Sequence, residues 1–231
     1  MNAEFDRLAS NYDELLRDPL RDVFAPDSQF FVTRKLEILR AFVARHGFDT
    51  RRARWLDVGC GRGDLLRAGR AHFGDVVGCD VSAGMLDGCG DLNVVLQPDL
   101  QRLPFDDASV DWVTAVCVYH HVPRSGRGAI TAEVRRVLRP GGVLTIIEHN
   151  PFNPAVQVIV RRTPVDEHAD LLTAGTARRT MTSAGMRPID TRYFLCVPQR
   201  VYKALGALER AIEALPVGGQ FAVFGINPLI G

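Results

Sequence analysis

The sequence predicts an α/β protein with a mostly parallel, doubly wound sheet covered by helices on both faces. Short apolar runs rich in β-branched residues alternate with helical patterns along the chain, as strands and crossover helices do. The middle runs are nearly continuous in Val, Leu and Ile rather than alternating with polar residues, the pattern of strands buried on both faces. The first of them passes through a glycine-rich turn directly into a helix.

Seven strands are expected. Five form the centre: Arg54–Val58, Asp75–Asp80, Asn93–Gln97, Asp111–Cys117 and Gly142–His149. Two more follow at Ile189–Val197 and Gln220–Ile226. Helices lie between them at Asp64–His72, Ala83–Asp87 and Gly128–Leu138, the last stopped by Arg139-Pro140-Gly141-Gly142. Ahead of the sheet, Phe5–Leu16 places Phe5, Leu8, Tyr12, Leu15 and Leu16 on one helical face. Phe30–Val43 forms a second helix after the breaks at Pro19 and Pro26. Pro151, Pro154 and Pro164 exclude a single helix after the fifth strand, and Glu167–Ala184 reads as the next one. Val201–Leu215 carries Val201, Tyr202, Leu205, Leu208, Ile212 and Leu215 on one broad face, which reads as core packing; contact with a greasy or membrane-associated acceptor is the alternative.

Composition excludes several classes. At 231 residues the chain can bury one sizeable core, and 46% hydrophobic with 24% charged residues is ordinary for a globular protein. A net charge of +1, from 28 basic and 27 acidic residues, gives no broad footprint for nucleic acid. Five cysteines without a C-x-x-C pair read as reduced thiols. The N-terminus is polar, and no apolar run is long enough for a stable membrane insertion. The expectation is a cytoplasmic protein, monomer or homodimer, that acts on a small molecule.

Asp57-Val58-Gly59-Cys60-Gly61-Arg62-Gly63 is the most informative stretch. Its glycines let the backbone turn sharply and let a ligand approach the main chain, and the helix behind it begins with unpaired N–H groups. Dinucleotide loops space their glycines G-x-G-x-x-G, with a pyrophosphate on the helix N-terminus. Here the third glycine comes one residue early, and the carboxylate of Asp57 precedes the loop. An acid there repels a pyrophosphate and favours a cationic ligand such as S-adenosylmethionine, with its sulfonium and ammonium groups, over a nicotinamide cofactor.

The same stretch resembles the first motif of class I S-adenosylmethionine-dependent methyltransferases, in particular the type 11 group. Val76–Met85 is similar to the family's second strand and its acidic end, Pro98–Phe105 to the third-strand motif ending in L-P-F, and Val110–Val122 to the fourth strand and its loop. Glu133–Gly142 resembles the helix and R-P-G-G turn before the fifth strand, and Phe5–Asp13 the F-D-x-x-A-x-x-Y-D lead-in. The match covers residues 54–150. It implies a Rossmann-like, seven-stranded sheet, mostly parallel with an antiparallel last strand. It also implies one methyltransferase domain, with 1–50 a helical lid, 54–150 the cofactor core and 151–231 a substrate-side insert followed by C-terminal helices and strands. A nicotinamide-dependent oxidoreductase and a non-catalytic cofactor-binding scaffold are the alternatives.

Under this resemblance Asp80 accepts the ribose hydroxyls, Val81 and Met85 pack on the adenine, and Asp99 with the Leu100 backbone meets its polar edge. Gly59, Cys60 and Gly61 pass the methionine moiety, Asp57 sets the charge there, Cys117 lines the crevice, and Tyr12 folds over it. His120, His121, Glu148 and His149 follow strands at the active edge; His121 and His149 are the candidate catalytic bases. They lie on separate loops without i, i+4 pairing, so no metal is expected. Arg17–Phe31, Asn150–Glu167 and Val201–Leu215 are expected to select the acceptor, with Arg161 and Arg162 either anion-binding or solvated. Glu148–Pro154 together with Leu215–Phe221 resembles bacterial methyltransferases of glycan and natural-product pathways.

Overall fold

The computed structural model describes residues 2–99 and 101–229, so the Leu100 backbone contact lies outside the described residues. One sheet is built from β1 (Arg54–Val58), β2 (Asp75–Asp80), β3 (Val94–Leu96), β4 (Val110–Val116), β5 (Leu138–His149), β6 (Arg187–Phe194) and β7 (Gln220–Ile226). Its strand order is β3-β2-β1-β4-β5-β7-β6. The five centre strands pair in parallel, while β7 runs antiparallel to both β5 and β6. Beside β1 the chain turns from building one side of the sheet to building the other. At such a switch point the loops after neighbouring strands diverge and open a crevice at their carboxyl ends.

Ten helices surround the sheet among the described residues. They are α1 (Asn2–Leu8), α2 (Tyr12–Leu15), α3 (Pro19–Phe24), α4 (Ser28–His46), α5 (Asp64–Gly69), α6 (Ala83–Leu86), α7 (Arg127–Val137), α8 (Pro154–Arg162), α9 (Ala174–Ser183) and α10 (Gln199–Ala211). One face of the sheet packs Leu56, Val113 and Ile146 against Ile130 and Val134 of α7 and Ala177 and Met181 of α9. The other packs Trp55, Trp112 and Phe224 against Ile38 and Phe42 of α4 and Leu65 and Leu66 of α5. The Phe42 and Phe224 rings stack with centroids 4.1 Å apart. Burying side chains of this size stabilises the fold by roughly 1.5–3 kcal/mol each.

Several local expectations are corrected. Phe5–Leu16 is not one helix, because a 3-10 turn at Ala9–Asn11 divides it. The segment after Pro19 is helical: Asp18 caps α3 by accepting from Leu20 N at 2.8 Å and Arg21 N at 3.3 Å. Asn153 caps α8 in the same way, with Pro154 in the first turn. In both places proline starts a helix, since its missing N–H is one the first turn does not need. The fifth strand begins at Leu138, not Gly142, with a register shift between the pairs Val110–Leu138 and Trp112–Val143. The helix expected from Glu167 begins only at Ala174, capped by Thr173. Ahead of it Asp170 N–H donates to His120 O at 2.8 Å, which draws residues 166–170 away from a helical path.

The apolar face of α10 does not pack in the core. Val201, Leu205 and Leu208 are 43%, 45% and 56% exposed, and the helix buries Gly206 and Glu209 instead. Its anchor is polar: Glu209 pairs with the buried Arg34 and accepts from Cys196 N at 2.7 Å and Val197 N at 2.9 Å.

Candidate functional site

The glycine loop leaves β1 at the switch point. Gly59 N–H and Cys60 N–H both donate to Cys79 O, at 2.8 and 3.0 Å, tying the loop to β2. Gly59, Gly61 and Gly63 all have positive φ, at 68°, 53° and 76°. At Gly61 a Cβ would meet nothing within 4 Å, because that side of the loop faces open crevice. Gly61 N–H donates to Asp80 Oδ2 at 2.9 Å, and Ser82 N–H to Asp80 Oδ1 at 2.9 Å. The cap of α6 is the Ser82 hydroxyl, which accepts from Met85 N, so the Asp80 carboxylate is not consumed as a cap. Burial raises the Asp80 pKa, against the opposing pull of its Ser82 and Gly61 hydrogen bonds.

The crevice has a volume of about 120 Å³ and is lined by Tyr12, Gly59, Gly61, Asp80, Val81, Met85 and Cys117, seven of the expected binding residues. Phe5, Gln97 and Ile130 also line it, although none of them was expected among the binding residues. Asp99 does not line it. It is exposed, and its carboxylate accepts from Gln101 N at 2.8 Å as a turn residue, while the buried Gln97 occupies the wall.

A larger cavity of about 510 Å³ adjoins the crevice, sharing Tyr12, Gly59, Gly61, Val116, Cys117 and His121 with it. Its mouth and walls come from Leu20, Val23, Phe24 and Phe31 on the N-terminal side and from Val156, Ile159 and Val165 after β5. Both segments were expected to face the acceptor. Arg161 and Arg162 are exposed and do not line this cavity, and α10 contributes only Pro198, the residue ahead of its first turn. Asp57 and Cys60 face this side of the loop, with Lys35 opposite. Asp57 is 3% exposed and accepts from Thr114 Oγ1, itself held by Trp55 Nε1 at 2.8 Å. Burial pushes the Asp57 carboxyl up to about 7, with Thr114 and Lys35 pulling it back.

At the inner end of the cavity stand three histidines and two acids. His120 is fully buried, its Nδ1 bonded to Glu148 Oε2, and its Nε2 lies 3.2 Å from Asp166 Oδ1. His121 Nε2 is 3.6 Å from the same oxygen, and Phe5 packs edge-on against the His121 ring. His149 Nε2 lies 3.9 Å from Cys117 Sγ. Burial works against a charged His120, but Glu148 and Asp166 overcome it and hold its pKa well above the usual value. Burial and the neighbouring His120 push His121 and His149 down to about 4 each. Sequence order hides this cluster. Asp166 follows His120 by 46 positions and returns beside it in a turn tied down in part by the Asp170 N–H bond to His120 O.

Residues 56–146 match the family described as Methyltransferase domain. Over that stretch the chain is similar in sequence to methyltransferases, and its fold is that of class I S-adenosylmethionine-dependent methyltransferases. The domain's relatives include the 27-O-demethylrifamycin SV methyltransferase of Amycolatopsis mediterranei, 35% identical over 40% of this chain and 37% of that one. The malonyl-[acyl-carrier protein] O-methyltransferase of Dechloromonas aromatica is 29% identical over 69% of this chain and 61% of its own. The chain thus spans under two thirds of the length of either. A solved methyltransferase from Archaeoglobus fulgidus, 18% identical, superposes with a TM-score of 0.62 over 87% of this chain and all of that one, a likeness of fold.

Proposed function

We propose that this methyltransferase domain binds S-adenosylmethionine in the glycine-loop crevice and passes its methyl group to a small, largely apolar acceptor in the adjoining cavity. The observation that carries the reading is the junction of the two cavities at Tyr12, Gly59, Gly61, Val116, Cys117 and His121. A donor held on one side of that line and an acceptor on the other would meet there, and holding reactants in line is most of what the protein must do for displacement at carbon.

The residues fit the cofactor. Each Asp80 oxygen already takes one backbone N–H and keeps lone-pair capacity for a ribose hydroxyl. Gly61 leaves room for a ligand against the main chain, Val81 and Met85 give apolar surface to a purine, and Asp57 supplies the carboxylate for a cationic end. When bound, the cofactor supplies an activated methyl on a cationic sulfur. Tyr12 and α1 close over the crevice as a lid, with Ser82 Oγ–H donating to Asp6 at 2.6 Å to hold α1 against α6, whereas α4, also expected in the lid, packs on the sheet.

His121 and His149, at the cavity's inner wall, are the candidates to take a proton from an acceptor O–H or N–H. Oxygen or nitrogen acceptors are favoured on that ground. The rifamycin relative acts on a demethylrifamycin by its name, and apolar walls at Leu20, Val23, Phe24, Phe31, Val156 and Ile159 suit a largely apolar acceptor.

The test is thermal and calorimetric. S-adenosylmethionine and S-adenosylhomocysteine should each raise Tm and bind with 1:1 heat, while a nicotinamide dinucleotide should do neither. Absence of both effects with the adenosyl ligands abandons the reading. Methyl-labelled cofactor incubated with a small-molecule extract should then label an apolar product.

A further inference from the structure

We infer that His120, His121 and Asp166 form a binding site for a divalent first-row transition-metal ion at the inner end of the acceptor cavity. One ligand atom from each lies within 4.8 Å of the others, and all three groups face the same cavity. Ions of this class sit about 2.0–2.2 Å from imidazole nitrogen and carboxylate oxygen, which puts neighbouring ligand atoms roughly 3.0–3.4 Å apart. The separations of 3.2 Å from His120 Nε2 and 3.6 Å from His121 Nε2 to Asp166 Oδ1 are already close to that spacing.

Two further observations point to a ligand. His120 Nε2 is buried, and Asp166 Oδ1 beside it at 3.2 Å is not aligned as a regular hydrogen-bond acceptor. On the other side of the ring, Nδ1 is engaged by the buried Glu148. A carboxylate on one imidazole nitrogen fixes the tautomer and turns the other lone pair outward, which is how metal-bound histidines are held. Glu148 is itself fixed by Tyr119 N–H at 2.7 Å, so the ring has little freedom to turn.

Two imidazoles and one carboxylate suit zinc, iron, cobalt or manganese in the divalent state better than a hard, all-oxygen ion. They fill three adjacent positions and leave the rest toward the cavity, where water or an acceptor oxygen completes the shell. His121 would then serve the ion, leaving His149 as the remaining imidazole on the wall. The competing account is a protonated His120 bridging Glu148 and Asp166 with no metal. The expectation of a metal-free site rested on sequence spacing, which does not register the return of Asp166.

Cobalt(II) titrated into the full-length chain without cofactor tests the site independently of methyl transfer. One equivalent should bind with the visible ligand-field bands of a nitrogen–oxygen shell, and zinc(II) should displace it. His121→Ala and Asp166→Asn should each weaken binding at least about tenfold with unchanged circular dichroism, while the exposed-site control His168→Ala should not. Should either variant misfold, X-ray absorption of the wild-type cobalt form should give two imidazoles and a carboxylate oxygen in the first shell. No saturable cobalt binding, equal binding in the His121 and Asp166 variants, or a sulfur-to-cobalt charge-transfer band would each overturn the site.

Discussion

Gly61 N–H and Asp80 Oδ2 are joined by a 2.9 Å hydrogen bond, which ties the glycine loop to the acid at the end of β2. Burial of Asp80 opposes its charge in the empty protein. Asp80→Asn should therefore leave the apo-protein as stable as wild type or slightly more so near neutral pH. It should also lower S-adenosylmethionine affinity, because charge-assisted hydrogen bonds to ribose contribute about 1.5–3 kcal/mol. Calorimetry should read a loss of roughly ten- to a hundredfold. An unchanged Kd would remove Asp80 from the ribose role.

Gly61 tests whether the open side of the loop is ligand space. A Cβ there meets no protein atom, yet φ is +53°. Gly61→Ala should cost about 1–2 kcal/mol of apo stability from the left-handed backbone alone. Its methyl group projects into the crevice, so cofactor affinity should fall further than that strain explains. A variant that loses stability in urea but keeps wild-type affinity would place the ligand elsewhere.

Asp57 should make donor binding depend on pH. Its carboxyl sits at about 7, raised by burial and by Asp80 and lowered by Thr114 and Lys35. With the folded pKa above the unfolded value, its contribution to apo stability is full below about 4 and is lost as pH rises through 7. A cationic sulfonium nearby favours the ionised form, so binding becomes easier once Asp57 has lost its proton. Affinity for S-adenosylmethionine should rise about tenfold from pH 6 to pH 8, and affinity for the uncharged-sulfur product S-adenosylhomocysteine should rise less. Asp57→Asn should flatten the difference between the two ligands. Parallel pH profiles for both ligands in the wild type would dismiss this role.

The parts of this design legible in the sequence are those that depend on near neighbours. β1, β2 and β7 have the bounds their apolar runs suggest, most of the residues in each being buried. The loop and Asp80 were equally plain, since glycine conformation and an acid at a strand end are local chemistry. What stayed hidden needed the tertiary path. Gln97 takes the wall where Asp99 was expected, and His120 acquires its meaning from Asp166. The exposed side of α10 was misread for the same reason: helical spacing marks an apolar stripe but cannot say whether anything covers it, and here a buried ion pair holds the helix instead.

That pair, Arg34 with Glu209, yields a prediction about α10. Their side chains are 4% and 1% exposed, and Arg34 also lies over the Tyr202 ring at 4.2 Å. Removing one member of a buried pair strands the other charge, at a cost of about 3–5 kcal/mol, whereas replacing both with neutral groups is far milder. Arg34→Met should therefore lower the urea midpoint sharply, and the double variant Arg34→Met, Glu209→Gln should recover much of the loss. Glu209 also receives the Cys196 and Val197 N–H groups, so hydrogen exchange in Arg34→Met should quicken at those two amides and along α10 before the sheet is affected. Other attachments of α10 lie at its start, where Tyr202 packs edge-on against Phe30 and Gln199 accepts from Asp27 N–H. Equal exchange in α10 and β4 would mean that the apolar contacts at its edges hold it after all, and losses that simply add in the double variant would deny the pair its coupling.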